Sequence, residues 1–163
     1  MTLIVGLVLL VMLMSISMIG FRNTTMSERM TGNVVDRNFS FQSAESAGKE
    51  ALELIESGGF SAGTLGHYGA PLSEGDNASF WTQGAGATTS TCTTTTPFSW
   101  KSCAAAVGTT YANNAEGAKY VIELLSTVVS GTTTTRTYRV TSRSTGGSGV
   151  AESVLQVMYV KTT

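Results

Sequence analysis

Charge is scarce in this chain. Lys, Arg, Asp and Glu make up 13% of the 163 residues, about half the roughly 25% of an ordinary soluble protein. The net charge of -1 supplies no basic face for a phosphate backbone, so no nucleic-acid partner is expected. Histidine occurs once, as His67, and cysteine twice, as Cys92 and Cys103. That is little material for a metal cluster or a His-based catalytic site, and neither a cofactor nor a metal is expected. No proline occurs before Pro71, so no residue of the N-terminal region forbids a continuous helix. No charged side chain precedes Arg22.

What the N-terminus does contain is an apolar run. Leu3–Phe21 reads LIVGLVLLVMLMSISMIGF. It is apolar on every face, which requires lipid or a fully buried protein setting. At about 1.5 Å per residue such a helix spans nearly ~30 Å, one bilayer core. A cleavable signal peptide needs a basic start and a small-residue cleavage site. A plain signal anchor usually carries Lys or Arg before the run. Neither feature is clear here, which favours Met1 as the N-terminus left after removal of a basic leader.

The apolar run flows into a polar, amphipathic continuation, Arg22 to Ser57. Ala44, Ala47, Ala51, Leu54 and Ile55 recur at helical spacings of three and four. Glu45 and Lys49 stand at i, i+4. Val34, Val35, Phe39 and Phe41 are expected to add bulky contacts. Gly58-Gly59 marks the C-terminal stop. One helix of about 57 residues, near 85 Å, results. Its first half is lipid-like and its second half amphipathic, which makes sense if the first half leaves the membrane for a bundle of identical or related helices.

On these residues the chain resembles the type IV pilin superfamily, and within it the PilX-type minor pilins. The resemblance rests on MTLIVGLVLLVML at the start and on three pieces: Ser27-Glu28-Arg29-Met30-Thr31-Gly32-Asn33, Asp36-Arg37-Asn38, and Phe41-Gln42-Ser43-Ala44-Glu45-Ser46-Ala47. Near the C-terminus, KYVIE (Lys119–Glu123) and TYRVTSRSTGGSG (Thr137–Gly149) are similar to the end of PilX-like proteins. The resemblance implies leader removal before Met1, N-methylation of Met1, storage in the inner membrane, and export into an extracellular filament. The membrane and filament-core helix would use Leu3, Ile4, Val5, Leu7, Leu10 and Leu13. Implied partners are other pilin subunits, the membrane before assembly, and a large tip adhesin.

Val5 departs from the glutamate that most pilins carry at the fifth position. A carboxylate in hydrocarbon is costly unless paired, and Val5 removes both the cost and the pair. That suits a subunit with nothing above it, at a filament tip. An abundant shaft subunit is the alternative, followed by a tip pseudopilin of type II secretion. A membrane-anchored periplasmic enzyme or binding module ranks last.

The remaining chain predicts an α+β fold, with a long N-terminal α-helix packed on a small antiparallel β-sheet. The expected organisation is helix over 1–57 (apolar 1–21, amphipathic 22–57), a Gly/Ser/Thr-rich connection over 58–117, and sheet over 118–163. Lys119–Val129, Thr135–Ser144 and Val150–Lys161 read as strands joined by hairpins. In the middle strand Tyr138, Val140 and Ser142 share one face, and Thr137, Arg139, Thr141 and Arg143 the other. The expectation is one face for packing and one for water. Trp81, Phe98 and Trp100 are expected to plug the edge of a small core. Thr88–Thr96 is low-complexity and expected at the surface.

Cys92 and Cys103, an even pair in an exported chain, are expected to form a disulfide. Closing a loop of about 12 residues contributes roughly 2–4 kcal/mol in the loop-entropy model. His67 is expected to be an exposed loop residue. Glu45, Glu50, Glu53 and Glu56 fall on several helix faces and read as solvated or partner-facing charge. The acidic turn Glu74-Gly75-Asp76-Asn77 lacks the full spacing of a Ca²⁺ loop. Three glycosylation sequons, at Asn23, Asn38 and Asn77, read as chance matches.

Overall fold

The computed structural model describes residues 2–72, 81, 98–107 and 117–163. Helix α1 covers Thr2–Glu56. It is followed by β1 (His67–Tyr68), a short helix α2 (Trp100–Cys103), β2 (Ala105–Ala106), β3 (Lys119–Ser130), β4 (Thr133–Thr145) and β5 (Glu152–Thr162). The chain divides into two compact units, Met1–Asp36 and Arg37–Thr163.

The second unit is α+β. β3, β4 and β5 form an antiparallel meander. Two short strands extend it along the outer edge of β3: β2 pairs antiparallel through Ala105 and Tyr120, and β1 pairs parallel through His67 and Ile122. The sheet is therefore mixed, in the order β1-β3-β4-β5 with β2 also on β3. A β-bulge between Leu124 and Ser126 shifts the register of β3 against β4.

The helix meets the sheet through small side chains. Ser40, Ser43, Ala44, Ala47, Ala51 and Ile55 are buried, at the spacing of one helix face. A methyl group added at Gly48 would already touch Ser142 Oγ at 3.4 Å. Small residues let the helix axis approach the strands closely, and Ser40 Oγ reaches Ser153 Oγ at 2.7 Å. Ala47, Ala51 and Ile55 share one core cluster with Ala118, Tyr120, Ile122, Tyr138 and Val140. Val34, Val35 and Phe41, expected to supply bulky contacts, are exposed. The buried face begins at Ser40, where small residues replace large ones.

The helix ends as its glycines require. Gly58 takes φ +80, Gly58 N–H donates to Ile55 O and Gly59 N–H to Leu54 O, which closes a Schellman motif. A second closure comes from β5. Lys161 Nζ donates to Ile55 O at 2.8 Å and Glu56 O at 2.9 Å. A cation placed on the last carbonyls also complements the helix dipole.

The expectation of one wet sheet face does not hold. Every residue of β4 from Tyr138 to Thr145 is buried, on both faces. The face opposite the helix is covered by a second core of Tyr68, Leu72, Trp81, Phe98, Trp100, Cys103, Ala104 and Val121. Trp81, Phe98 and Trp100 thus lie across the sheet rather than at its edge. Their rings stand 5.1–5.6 Å apart, two of the three pairs edge-to-face, and Trp100 Nε1 donates to Trp81 O at 2.8 Å. Aromatic residues bury enough area each to cover a face that short loops otherwise leave open. Thr88–Thr96 lies outside the described residues.

Gly66 fixes where β1 and β2 meet. It has φ +79, and a Cβ there would lie 2.5 Å from Ala105 N, while its carbonyl accepts from Ile122 N–H at 2.7 Å. Gly66→Ala therefore combines a left-handed backbone with a backbone clash. It should lower the unfolding free energy by at least about 2 kcal/mol, read by urea denaturation of the full chain in detergent. A loss under about 0.5 kcal/mol would show that the edge strands reposition freely.

Candidate functional site

Two surfaces carry the residues singled out in the sequence. The first is α1 within Met1–Asp36. Leu3, Ile4, Val5, Leu7, Leu10 and Leu13 all lie on it, with exposures from 54% to 81%. Met1 lies outside the described residues. This helix is long and apolar enough to cross a membrane, with its most apolar 18-residue window at a mean hydropathy of 2.7 and unburied. Its hydroxyls are turned inward on the helix: Ser15 donates to Val11 O at 2.9 Å, Thr24 to Gly20 O at 3.1 Å and Thr25 to Phe21 O at 3.0 Å. Such back-bonding satisfies polar groups without water or a neighbour, as a lipid setting demands. The apolar run thus presents its apolar side chains to its surroundings, and Ser15 within it is satisfied by the helix itself.

The second surface is the sheet face opposite the helix, and its centre is an ion pair whose Arg139 stood on a strand face expected to meet water. Glu123 and Arg139 are opposite each other in β3 and β4, at 0% and 3% exposure. Arg139 Nε donates to Glu123 Oε2 and Nη2 to Oε1, both at 2.8 Å. Leu72 N–H adds a third donor to Oε1 at 2.8 Å. A two-pronged guanidinium–carboxylate fit with an extra backbone donor is the geometry that offsets desolvation of both ions. Nearby, Tyr68 OH donates to Cys103 O at 3.1 Å, and burial, followed by the Glu123 charge, pushes its pKa up to about 12. Arg143 holds Glu152 at 2.7 and 3.2 Å and lies over the Trp100 ring at 5.8 Å. Sequence reasoning missed both pairs. The only available signal was the direct Glu–Arg opposition, visible once the register is known.

His67 is not an exposed loop residue. It is buried in β1, stacked against Phe60 at 5.5 Å and facing Tyr120 at 6.3 Å. Its Nδ1 has no hydrogen-bond partner. Burial holds its pKa below the usual 6.5, against the raising effect of a backbone hydrogen bond at Ser61. Its role is to fill the gap between two rings. Cys103 is buried and disulfide-bonded; Cys92 lies outside the described residues, as does the acidic turn at Glu74–Asn77. On the helix, Glu45 pairs with Lys49 at 2.9 Å, and Glu56 accepts from Tyr159 OH. Asn23 and Asn38 both sit within α1. Among the described residues no three His, Cys, Asp or Glu side chains gather as a metal site would need.

A family model described as Type IV pilus assembly protein PilX C-term matches residues 70–161, and one described as PilX N-terminal matches residues 1–47. The chain belongs to the PilX family of type IV pilus proteins. No curated protein and no solved structure matches it. The two matched regions cover both surfaces: the PilX N-terminal region holds the apolar helix, and the C-terminal region holds Glu123, Arg139 and the aromatic cover. Chains of this kind are structural components of pili, and the interactions that family membership implies are with other pilus subunits.

Two outcomes are expected. Arg139→Met or Glu123→Leu alone leaves one buried charge uncompensated and should cost about 3–5 kcal/mol, whereas the two together should recover most of it. Urea melts followed by Trp fluorescence would read this as a double-mutant cycle. For His67 the sign follows from its lowered pKa. Below about pH 6.5 the unfolded chain takes up a proton that the folded chain resists, so stability is full above that pH and declines beneath it. His67→Phe should flatten the decline between about pH 7 and about pH 5, and an unchanged slope would place the titrating group elsewhere.

Proposed function

We propose that this PilX-family chain is a minor pilin of the filament tip, and that its work is assembly, priming and display rather than catalysis. The observation that carries the reading is the exposed, internally hydrogen-bonded apolar helix joined to a folded α+β unit. Leu3, Ile4, Val5, Leu7, Leu10 and Leu13 would anchor the subunit in the inner membrane and then pack in the filament core. These side chains leave lipid rather than water, so incorporation would draw on close packing between neighbouring helices and not on hydrophobic transfer. Within this reading the folded unit reaches the cell surface on the pilus, where adhesion or motility is served through other subunits or a large tip adhesin.

Val5 supports a tip over a shaft position. It offers no carboxylate to a neighbour's terminal amine, so assembly here relies on apolar packing alone. The proposal includes Met1 as the processed, N-methylated terminus and Cys92 as the partner of Cys103. That disulfide would tie the aromatic cover onto the sheet face, close to Tyr68 and Trp100.

Mass spectrometry of protein sheared from the cell surface tests the proposal. N-methyl-Met1 is expected, at a small fraction of the total pilus subunits. Amounts comparable to the whole filament would instead make this a shaft subunit. An unmethylated chain found only in membranes would sink the pilin assignment.

A further inference from the structure

As a helix, Leu3–Phe21 spans about 28 Å, close to the thickness of one bilayer core. Arg22 is the next residue, so a membrane-spanning α1 brings it out at the level of the lipid headgroups. It shares one patch of the helix surface with Met18, Phe21, Thr25, Met26 and Arg29. Arg29 follows Arg22 by seven residues, nearly two turns on and on the same face. Side chains on a helix lean toward its N-terminus, so the stem of Arg29 leaves its Cα in the direction of Arg22 and the membrane. Met18, Phe21 and Met26 are exposed around the two cations, as suits the boundary between acyl chains and headgroups. Neither arginine has a carboxylate to answer it. Among the described residues neither makes an ion pair. No acidic residue precedes Glu28, and Glu28 lies on another face of the helix, with Asn23, Thr24, Ser27 and Thr31.

We infer that Arg22, assisted by Arg29, is a binding site for the phosphates of anionic phospholipids, at the point where α1 leaves the membrane. A guanidinium offers a phosphate two parallel hydrogen bonds, and both cations here are arginines; no lysine precedes Lys49. Anionic lipid is preferred over zwitterionic lipid because its surface potential draws basic side chains, an effect of about fivefold per arginine. A second copy of this chain does not supply the anion to Arg22. Copies held in one membrane sit at the same depth, and their first carboxylate, Glu28, stands about 9 Å farther along the axis, beyond the headgroups that surround Arg22. The lipid phosphate is the anion at that level. Bound there, it fixes the depth of the stored subunit, and the helix gives it up when it is drawn from the membrane. This inference rests on the reading of α1 as a membrane-stored helix.

Mass spectrometry of the intact full chain, released from nanodiscs of phosphatidylglycerol and phosphatidylcholine in equal amounts, tests it by counting the lipids that stay bound. The wild-type chain should leave with phosphatidylglycerol in preference to phosphatidylcholine. Arg22→Gln should lower that preference about fivefold, and Arg22→Gln with Arg29→Gln should remove it. Glu28→Gln, on the other face, should not lower it. All three positions are exposed, so the variants should keep the urea melt of the wild type. Equal retention of the two lipids by the wild type, or a preference that survives both arginine substitutions, would overturn the inference. So would a loss from Glu28→Gln as large as that from Arg22→Gln. A preference abolished by inorganic phosphate in the buffer would mark an adventitious anion site and overturn it too. Release as a dimer that Arg22→Gln dissociates would give the arginine to a protein neighbour instead. A chain that does not insert into the nanodiscs at all would overturn the membrane reading together with this one.

Discussion

The buried pair Glu123–Arg139 is the constraint around which the second unit is organised. Two ions at almost no exposure are stable only when their hydrogen bonds are made and water stays out. The register of β3 against β4 places the two side chains opposite each other. Leu72 brings its backbone donor from the segment that follows β1. Trp81, Phe98 and Trp100 then close the face beside them. Each of these contributions comes from a different part of the chain. The outer face of the sheet is thus closed by short elements and loop residues, α2 among them, rather than by a second long helix.

On the opposite face the problem is solved by size instead of charge. Ser40, Ser43, Ala44, Ala47, Gly48 and Ala51 let a helix lie close on strands that carry Tyr120, Ile122, Tyr138 and Val140. Large residues on the strands and small ones on the helix interdigitate, which is how a thin unit reaches the density of a protein interior. β4, between two covered faces, is the most enclosed element. β5, covered on fewer sides, keeps its edge and part of each face in contact with the surroundings.

Across the chain, polar groups are consistently matched to their setting. In α1, Ser15, Thr24 and Thr25 return their hydroxyls to their own helix carbonyls, so these groups need no partner from the surroundings. In the folded unit the charged groups close structural ends: Lys161 the helix, Glu152 the start of β5, Glu123 and Arg139 the sheet face. A chain with so few charges has used several of them internally, and this leaves its outer surfaces suited to packing against other subunits.

Much of this was legible in the residues. The uninterrupted apolar run without charge or proline, the i, i+3, i+4 alanines and the Gly58-Gly59 stop determine a helix from near Met1 to Glu56, because helix formation depends on neighbours in sequence. The alternation and the Gly-rich turns determine the meander for the same reason. The PilX resemblance, carried by residues 27–47 and 119–149, was legible as well. What the tertiary structure decided is which faces are buried. Arg139 and Arg143 follow an alternation that reads as solvent-facing, and His67 sits in a glycine-rich stretch that reads as a loop; the two arginines are buried because Leu72, Trp81, Phe98 and Trp100 arrive from distant sequence to cover their face, and His67 because it lies between Phe60 and Tyr120. Lys161 caps a helix that ended more than a hundred residues earlier. Burial and capping depend on groups brought together only by folding, and no local pattern along the chain records which groups those are.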